Sequence, residues 1–277
     1  MKTIFRGHAS PFASSGLLLG LCLAFAFPFL WMLFASFKSD ADIFNPFPLW
    51  PEHFEMGHYH SLLSGEWIPY GRQFLNSLLI AGGQTLLATA FACCAGYVFA
   101  KFEFPLKKTL LILAVLTVLI PRQALILPLF MWMNALSLLD TPWAVILPGA
   151  ASGVGVLWFT AVFRRLPDSL LDMARCEGAG EYRVFWTALP LVKPALIAFA
   201  LIQFVLCWQE HLLPLVMLSS AGKLTATIGL SSLNAGNFRL PYGILMAGCV
   251  LTVIPTALLF AITRRHFRSS LDRLTEA

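Results

Sequence analysis

Six apolar runs, each approaching the length of a membrane crossing, alternate along the chain with polar or proline-broken stretches. The first covers residues 17–35, behind a short head that carries Lys2 and Arg6. Within it Ala24-Phe25-Ala26 imitates a signal-peptide cleavage site, but apolar character continues through residues 27–32, too long for a signal core. An uncleaved span is expected. Residues 38–73 are polar, aromatic-rich and interrupted by Pro46, Pro48 and Pro51, which predicts an exposed loop. The second run, 74–100, leads into a basic link at 101–108. The third starts at Thr109 and reaches Pro121-Arg122, and the apolar residues beyond Arg122 predict a short helix at the outer interface. The fourth run, 143–163, is rich in small residues from Gly149 to Gly155, which let membrane helices approach closely. A polar segment, 164–193, precedes the fifth run, 194–218. A polar loop, 219–240, separates it from the sixth run, 242–263, and the chain closes with a basic tail at 264–268. No internal repeat is evident.

Composition turns these runs into a class of protein. Of 277 residues, 58% are apolar or aromatic and 12% are charged, with a mean hydropathy of +0.76. A soluble domain carries about a quarter charged residues. An ordinary cytosolic enzyme, a disordered tail and a secreted disulfide scaffold are therefore excluded. At about 20 residues per crossing, the runs supply about six transmembrane helices and an all-α membrane fold.

Charge supplies an orientation. The net charge is +5, but Lys and Arg are scattered between the runs and make no single nucleic-acid-binding face. The head, the 101–108 link, the 164–193 segment and the tail counted through Arg273 together hold fourteen of them, and the opposite side holds five, Arg122 included. That bias predicts both termini in the cytoplasm. Five of the six cysteines, Cys22, Cys93, Cys94, Cys207 and Cys249, lie in apolar runs, and only Cys176 lies in a polar segment. Without CxxC or Cys/His spacing they read as small apolar packing residues.

No hydrolytic or redox motif is present: there is no GxxxxGK[ST], GxSxG, HExxH or GxGxxG. Uphill movement of a solute would draw on an ion gradient or on a partner. The informative segment is 164–193. Pro167 suits the first turn of a helix, and Asp168 and Asp172 suit its positive end. Leu166, Leu170, Met173 and Glu177 fall on one helical stripe, and Gly178 and Gly180 supply a sharp turn. So short a helix is unstable alone. Its stripe docks either on its own membrane domain or on a partner.

This segment resembles the EAA motif of ABC-importer permeases, E-A-A-x3-G-x9-I-x-L-P. Asp172-Met173-Ala174 stands for E-A-A, Gly178 for the glycine and Leu189-Pro190 for the closing L-P. Asp-Met replaces Glu-Ala, and the interval from Gly178 to Pro190 is one residue short, which puts Thr187 at the Ile place. The resemblance extends over nearly the whole chain to carbohydrate-importer permeases of the maltose and glycerol-phosphate type. It runs through Phe74-Leu-Asn-Ser-Leu, Ala95-Gly-Tyr-Val-Phe-Ala-Lys-Phe-Glu-Phe-Pro, Ala144-Val-Ile-Leu-Pro, Leu189-Pro-Leu-Val-Lys-Pro and Trp208-Gln-Glu-His-Leu-Leu-Pro-Leu. At His211 the family usually has an aromatic residue, and at Leu213 often a tryptophan.

The resemblance implies a type I ABC-importer permease fold in a bacterial inner membrane, a single permease domain over 1–277. It implies one of two membrane subunits, usually paired with a similar but distinct permease. An ATPase dimer would dock on the cytoplasmic loops and bind ATP and Mg, with no cofactor on this chain and no catalytic residue in it. An external solute-binding protein would deliver a sugar, oligosaccharide, polyol or glycerol phosphate. Leu170, Asp172, Met173, Ala174, Glu177, Gly178 and Pro190 become the candidate ATPase-coupling residues.

Polar groups inside spans are costly and face cavities or bundle interiors more often than lipid. By that rule Gln203, Trp208, Gln209, Glu210 and His211 are candidates for a substrate path, with Trp208 as a sugar-stacking face. Bonding to the neighbouring permease, or a place at the outer interface, accounts for them as well and is the reading to be displaced. Asn76, Ser77, Gln84 and Thr85 are expected as interhelical hydrogen-bond partners, Arg122 as a snorkelling side chain, and Gly82, Gly83 and Gly96 as packing contacts. An ion-coupled secondary carrier is the competing class. It favours buried carboxylates in broken helices and repeated halves, and only Glu210 fits. An integral-membrane enzyme would cluster catalytic residues at one membrane face, and none is visible.

Overall fold

A bilayer core offers no water to backbone N–H and C=O groups, so apolar runs must pair them internally, as helices. The computed structural model describes residues 11–45, 47–233 and 242–275, and among these no strand occurs. In chain order the helices are α1 (Pro11–Ala35), α2 (Gly57–Ser64), α3 (Tyr70–Lys101), α4 (Lys107–Leu119), α5 (Ile126–Ala135), α6 (Trp143–Ala150) and α7 (Gly153–Arg164). There follow α8 (Asp168–Cys176), α9 (Glu181–Ala188), α10 (Lys193–Trp208), α11 (Leu212–Met217), α12 (Ala226–Ser232) and α13 (Tyr242–Thr275). The head with Lys2 and Arg6 and the distal part of the 219–240 loop lie outside the described residues, as do the side chains of the 264–268 tail.

Four stretches of the described residues are long and apolar enough to cross a membrane: Ser15–Ala35, Tyr70–Lys101, Glu181–Trp208 and Tyr242–Thr263. Counting each of two bent pairs as one span makes six. In one pair α4 ends at Leu119 and the chain turns by 101° into a 3-10 turn and α5, as Pro121 and the polar Arg122 predict. In the other, the fourth apolar run is two helices rather than one. α6 and α7 meet at 43°, and the extended backbone of Ala151 and Ser152 separates them. Ser152 then caps α7 by accepting a hydrogen bond from the Gly155 N–H at 3.1 Å. The fifth run is likewise interrupted: α10 stops at Trp208, and residues 209–211 intervene before α11.

The chain forms two compact units. One contains the described residues of Met1–Trp67 and Leu233–Leu251. In it α1 is apolar on every side and exposed through most of its length, and the following loop is held by polar contacts. The Lys38 Nζ donates to the carbonyls of Asn45 (2.9 Å) and Pro48 (2.7 Å), and Asp40 Oδ1 accepts from the Gly243 N–H at the start of α13 (2.9 Å).

The other unit contains Ile68–Ser232 and the described residues of Thr252–Ala277, and is organised around α3. α6, α7, α10 and α12 pack on this helix. Two apolar clusters lie along it. One gathers Ile80 and Ala81 with Met133, Ile146, Trp208 and Met217; the other gathers Ala92 and Tyr97 with Phe159, Phe163, Leu171 and Phe199. Small residues permit the close approach. A Cβ on Gly155 would lie 2.7 Å from the Ala92 methyl and 2.6 Å from the Phe199 ring. Of the glycines expected to pack, Gly96 and Gly83 do, against Phe159 and Ile146, whereas Gly82 faces open space.

Candidate functional site

α8 and its turn occupy one end of the second unit. Pro167 takes the N-cap place, one residue before the first turn expected for it, and Asp168 sits in that turn. The helix stops at Cys176 because Gly178 adopts φ +81°, a left-handed conformation open to glycine at no steric cost. Gly180, also expected at a sharp turn, is instead extended and precedes α9. The predicted stripe divides. Leu166 is half-buried against the second apolar cluster, while Leu170, Met173 and Glu177 are exposed. The side chain that anchors α8 is Leu171, 1% exposed, with Ala174 packed beside it. Leu170 at 48% and Met173 at 65% exposure touch little of their own chain. Asp172 and Pro190 are exposed as well. Two large aromatics that hydropathy alone does not single out, Tyr182 and Trp186 on α9, are also exposed, 6.0 Å apart edge to face. Their i, i+4 spacing was the available signal.

Charge orders this end. Arg175 Nη1 donates to Asp172 Oδ1 at 2.8 Å, and its Nε and Nη2 donate to the two carboxylate oxygens of Glu181 at 2.8 and 3.2 Å. Glu181 also accepts from the Tyr97 hydroxyl at 3.4 Å. Lys101 Nζ donates to Asp168 Oδ1 at 2.7 Å and to the Leu166 carbonyl at 2.8 Å. The bonds from Lys101 lower the carboxyl pKa of Asp168, and the bonds to Glu181 first and Asp172 second raise that of Arg175.

The candidate path residues cluster at the break after α10, but differently from expectation. Trp208 is 5% exposed, stacked on Phe204 at 5.6 Å and edge-on to Phe74 at 5.6 Å, and its indole N–H donates to the Thr252 carbonyl at 3.0 Å. Its ring serves packing and has no open face for a sugar. Gln209 is exposed, and Glu210 and His211 are half-buried. None of the three lies in a helix. Glu210 Oε1 accepts from the N–H groups of Leu212 (3.1 Å) and Leu213 (3.5 Å) and so caps α11. Gln203 donates to the Gly149 carbonyl at 3.4 Å.

The polar residues of α3 bond as follows. Asn76 donates to the carbonyls of Gly222 (2.9 Å) and Leu224 (3.1 Å), Ser77 accepts from the Ala226 N–H at the head of α12 (2.8 Å), and Gln84 accepts from the Cys207 thiol (3.1 Å). Thr85 departs from expectation: its buried hydroxyl has no partner among the described residues. A further hub was not singled out from sequence. Asp140, with φ +58°, accepts from the Ser219 and Ser220 N–H groups (3.0 Å each), the Ser220 hydroxyl (2.6 Å) and Lys223 Nζ (2.8 Å). The Lys223 bond, then those of Ser220, hold its carboxyl far below the usual carboxylate range. Among the described residues no group of His, Cys, Asp and Glu is arranged to hold a metal.

Comparison with known proteins agrees with this architecture. Residues 92–273 match the family described as "Binding-protein-dependent transport system inner membrane component". The arabinooligosaccharides transport system permease protein AraQ of Halalkalibacterium halodurans is 34% identical over 96% of this chain and 97% of its own length. The sn-glycerol-3-phosphate transport system permease protein UgpE of Yersinia pestis is 31% identical over 91% and 92%. A chain from the crystal structure of a bacterial ABC transporter involved in the import of the acidic polysaccharide alginate shares the fold. Its TM-score is 0.81, covering 96% of this chain and 100% of that one at 18% identity. Matched by the family model over most of its length and by full-length relatives above 30% identity, the chain belongs to the binding-protein-dependent transport system inner membrane components, and is a multi-pass permease subunit of an ABC importer.

Proposed function

We propose that this permease admits a carbohydrate or carbohydrate-like solute: an oligosaccharide, a sugar, a polyol or glycerol phosphate. It pairs with a second, similar permease, receives the solute from an external binding protein, and is driven by ATP and Mg bound in a partner ATPase dimer, with no cofactor of its own. Relatives named for arabinooligosaccharides, diacetylchitobiose, lactose and glycerol phosphate support the solute class. The fourteen-to-five charge bias supports a cytoplasmic position for both termini and for residues 164–193.

The observation that carries the coupling role is the exposure of Leu170 and Met173 on a nine-residue helix whose other side is anchored by Leu171. Two neighbouring apolar side chains held outward by a fixed helix make a small docking face, with Asp172, Glu177 and Gly178 at its edge and Ala174 and Pro190 supporting it. At the other end, Gln209, Glu210 and His211 border the solute path and Trp208 holds the break in place.

Cysteine cross-linking from positions 170–178 to the ATPase in a transporting complex tests the docking face. Cross-links from 170 and 173 are expected. None from any of these positions would overturn the assignment. A solute-binding screen on the cognate binding protein tests the carbohydrate class.

A further inference from the structure

α8 is too short to hold its own shape, and Leu171 alone of its side chains is fully buried. Its covalent links are compliant: three residues join it to α7, and a turn containing two glycines joins it to α9. Its stiff attachment is elsewhere. Tyr97 and Lys101 sit one turn apart on α3 and grip the two ends of the segment. Lys101 takes the leading end through Asp168 and the Leu166 carbonyl. Tyr97 takes the trailing end through Glu181, which the fork of Arg175 ties back to α8.

Both gripping side chains are themselves fixed. Lys101 is 5% exposed, and the Tyr97 ring is buried against Phe163 (5.4 Å) and Phe185 (5.1 Å). The Asp168 partner is 74% exposed, so this ion pair contributes little to stability. Its value is geometric. α3, 32 residues and roughly 48 Å long at 1.5 Å per residue, carries near its other end Gln73, Asn76 and Ser77, which bond residues 221–226.

We propose that Tyr97 and Lys101 are positioning residues that make α8 and α3 one mechanical unit, so that a displacement of α8 is delivered through α3 to the 221–226 segment. This rests on the reading that α8 docks on the ATPase.

The test uses the reconstituted importer and reads ATP hydrolysis with and without the cognate binding protein. Lys101→Met is expected to cut the stimulation by the binding protein roughly 2- to 30-fold, the range for residues that carry coupling, with the ATPase still copurifying. Lys101→Arg, which keeps donors at this place, restores it. Asp168→Ala, altered on the exposed side where folding is not at risk, lowers it in the same direction. In a background lacking the six native cysteines, joining Lys101→Cys to Asp168→Cys with a short thiol cross-linker should preserve stimulation. Loss of stimulation on cross-linking means that α8 parts from α3 during the cycle, and overturns the proposal. So does full stimulation in both Lys101→Met and Asp168→Ala. Failure of the ATPase to copurify with the unaltered chain instead removes the docking reading beneath it.

Discussion

Gly96 of α3 lies against the backbone of Phe159 of α7 with no room for a methyl group: a Cβ on Gly96 would stand 2.8 Å from the Phe159 carbonyl carbon and 2.8 Å from the Thr160 nitrogen. Backbone cannot step aside as a flexible side chain does. Gly96→Ala should therefore force α3 and α7 apart at the cluster that supports α8, costing about 1–3 kcal/mol. Thermal unfolding in detergent should show a lowered midpoint. Gly82→Ala on the same helix, where nothing stands within 4 Å, should leave the midpoint unchanged or slightly raised.

Gly178 is constrained by conformation rather than by space. With φ +81° and no atom within 4 Å of an added Cβ, a side chain there meets strain but no clash within this chain. The expected backbone cost is about 1–2 kcal/mol. Gly178→Asp should leave the protein inserted, while misplacing α8 enough to abolish transport and loosen ATPase attachment. Normal copurification with normal transport would refute this.

Asp140 ties the turn before α6 to the turn after α11. Its carboxyl pKa lies below the ordinary 3.8, so its contribution is fully present above that value and disappears as pH falls through the lower folded value. Asp140→Ala should lower the melting midpoint at neutral pH. The gap from the unaltered protein should shrink in the acid range below 3.8. A gap independent of pH would mean that the charge is not what matters.

Glu210 and His211 allow a separation of path from scaffold. Glu210→Gln retains an oxygen to cap α11 and so should preserve assembly. Both Glu210→Gln and His211→Gln should change the apparent affinity or selectivity for the solute carried by the cognate binding protein, with ATPase attachment intact. Unchanged transport in both would assign them to structure alone.

Orientation is checked by reporter fusions. Fusions after Ser270 and within 164–193 should report cytoplasm, and those near Glu55 and Gly236 periplasm; Gly236 lies outside the described residues. A periplasmic 164–193 segment would place α8 beyond the reach of any ATPase.

Much of this molecule was legible before any coordinates. Hydrophobic run length is a one-dimensional property, and a bilayer converts it directly into helices, so the membrane class and the turn at Pro121-Arg122 follow from residue order. The left-handed turn at Gly178 and the α8 segment were equally readable, because turn chemistry is local. Helix continuity inside an apolar run was not. Hydropathy does not register where backbone pairing stops, so the breaks at Ala151-Ser152 and at residues 209–211 appear in the folded chain alone. The stripe of α8 misled for a related reason. Leu170 and Leu171 are neighbours of equal hydrophobicity, and only the placement of Tyr97, Phe163 and Val184 decides that Leu171 is buried and Leu170 faces out. Trp208 reads as a binding surface until Phe204 and Phe74 are seen to cover it. The Asp140 hub and the grip of Lys101 on Asp168 join residues far apart in the chain. Residue order determines which segments become helices; which side chains those helices bring together is a property of packing, and that is where the positioning chemistry arises.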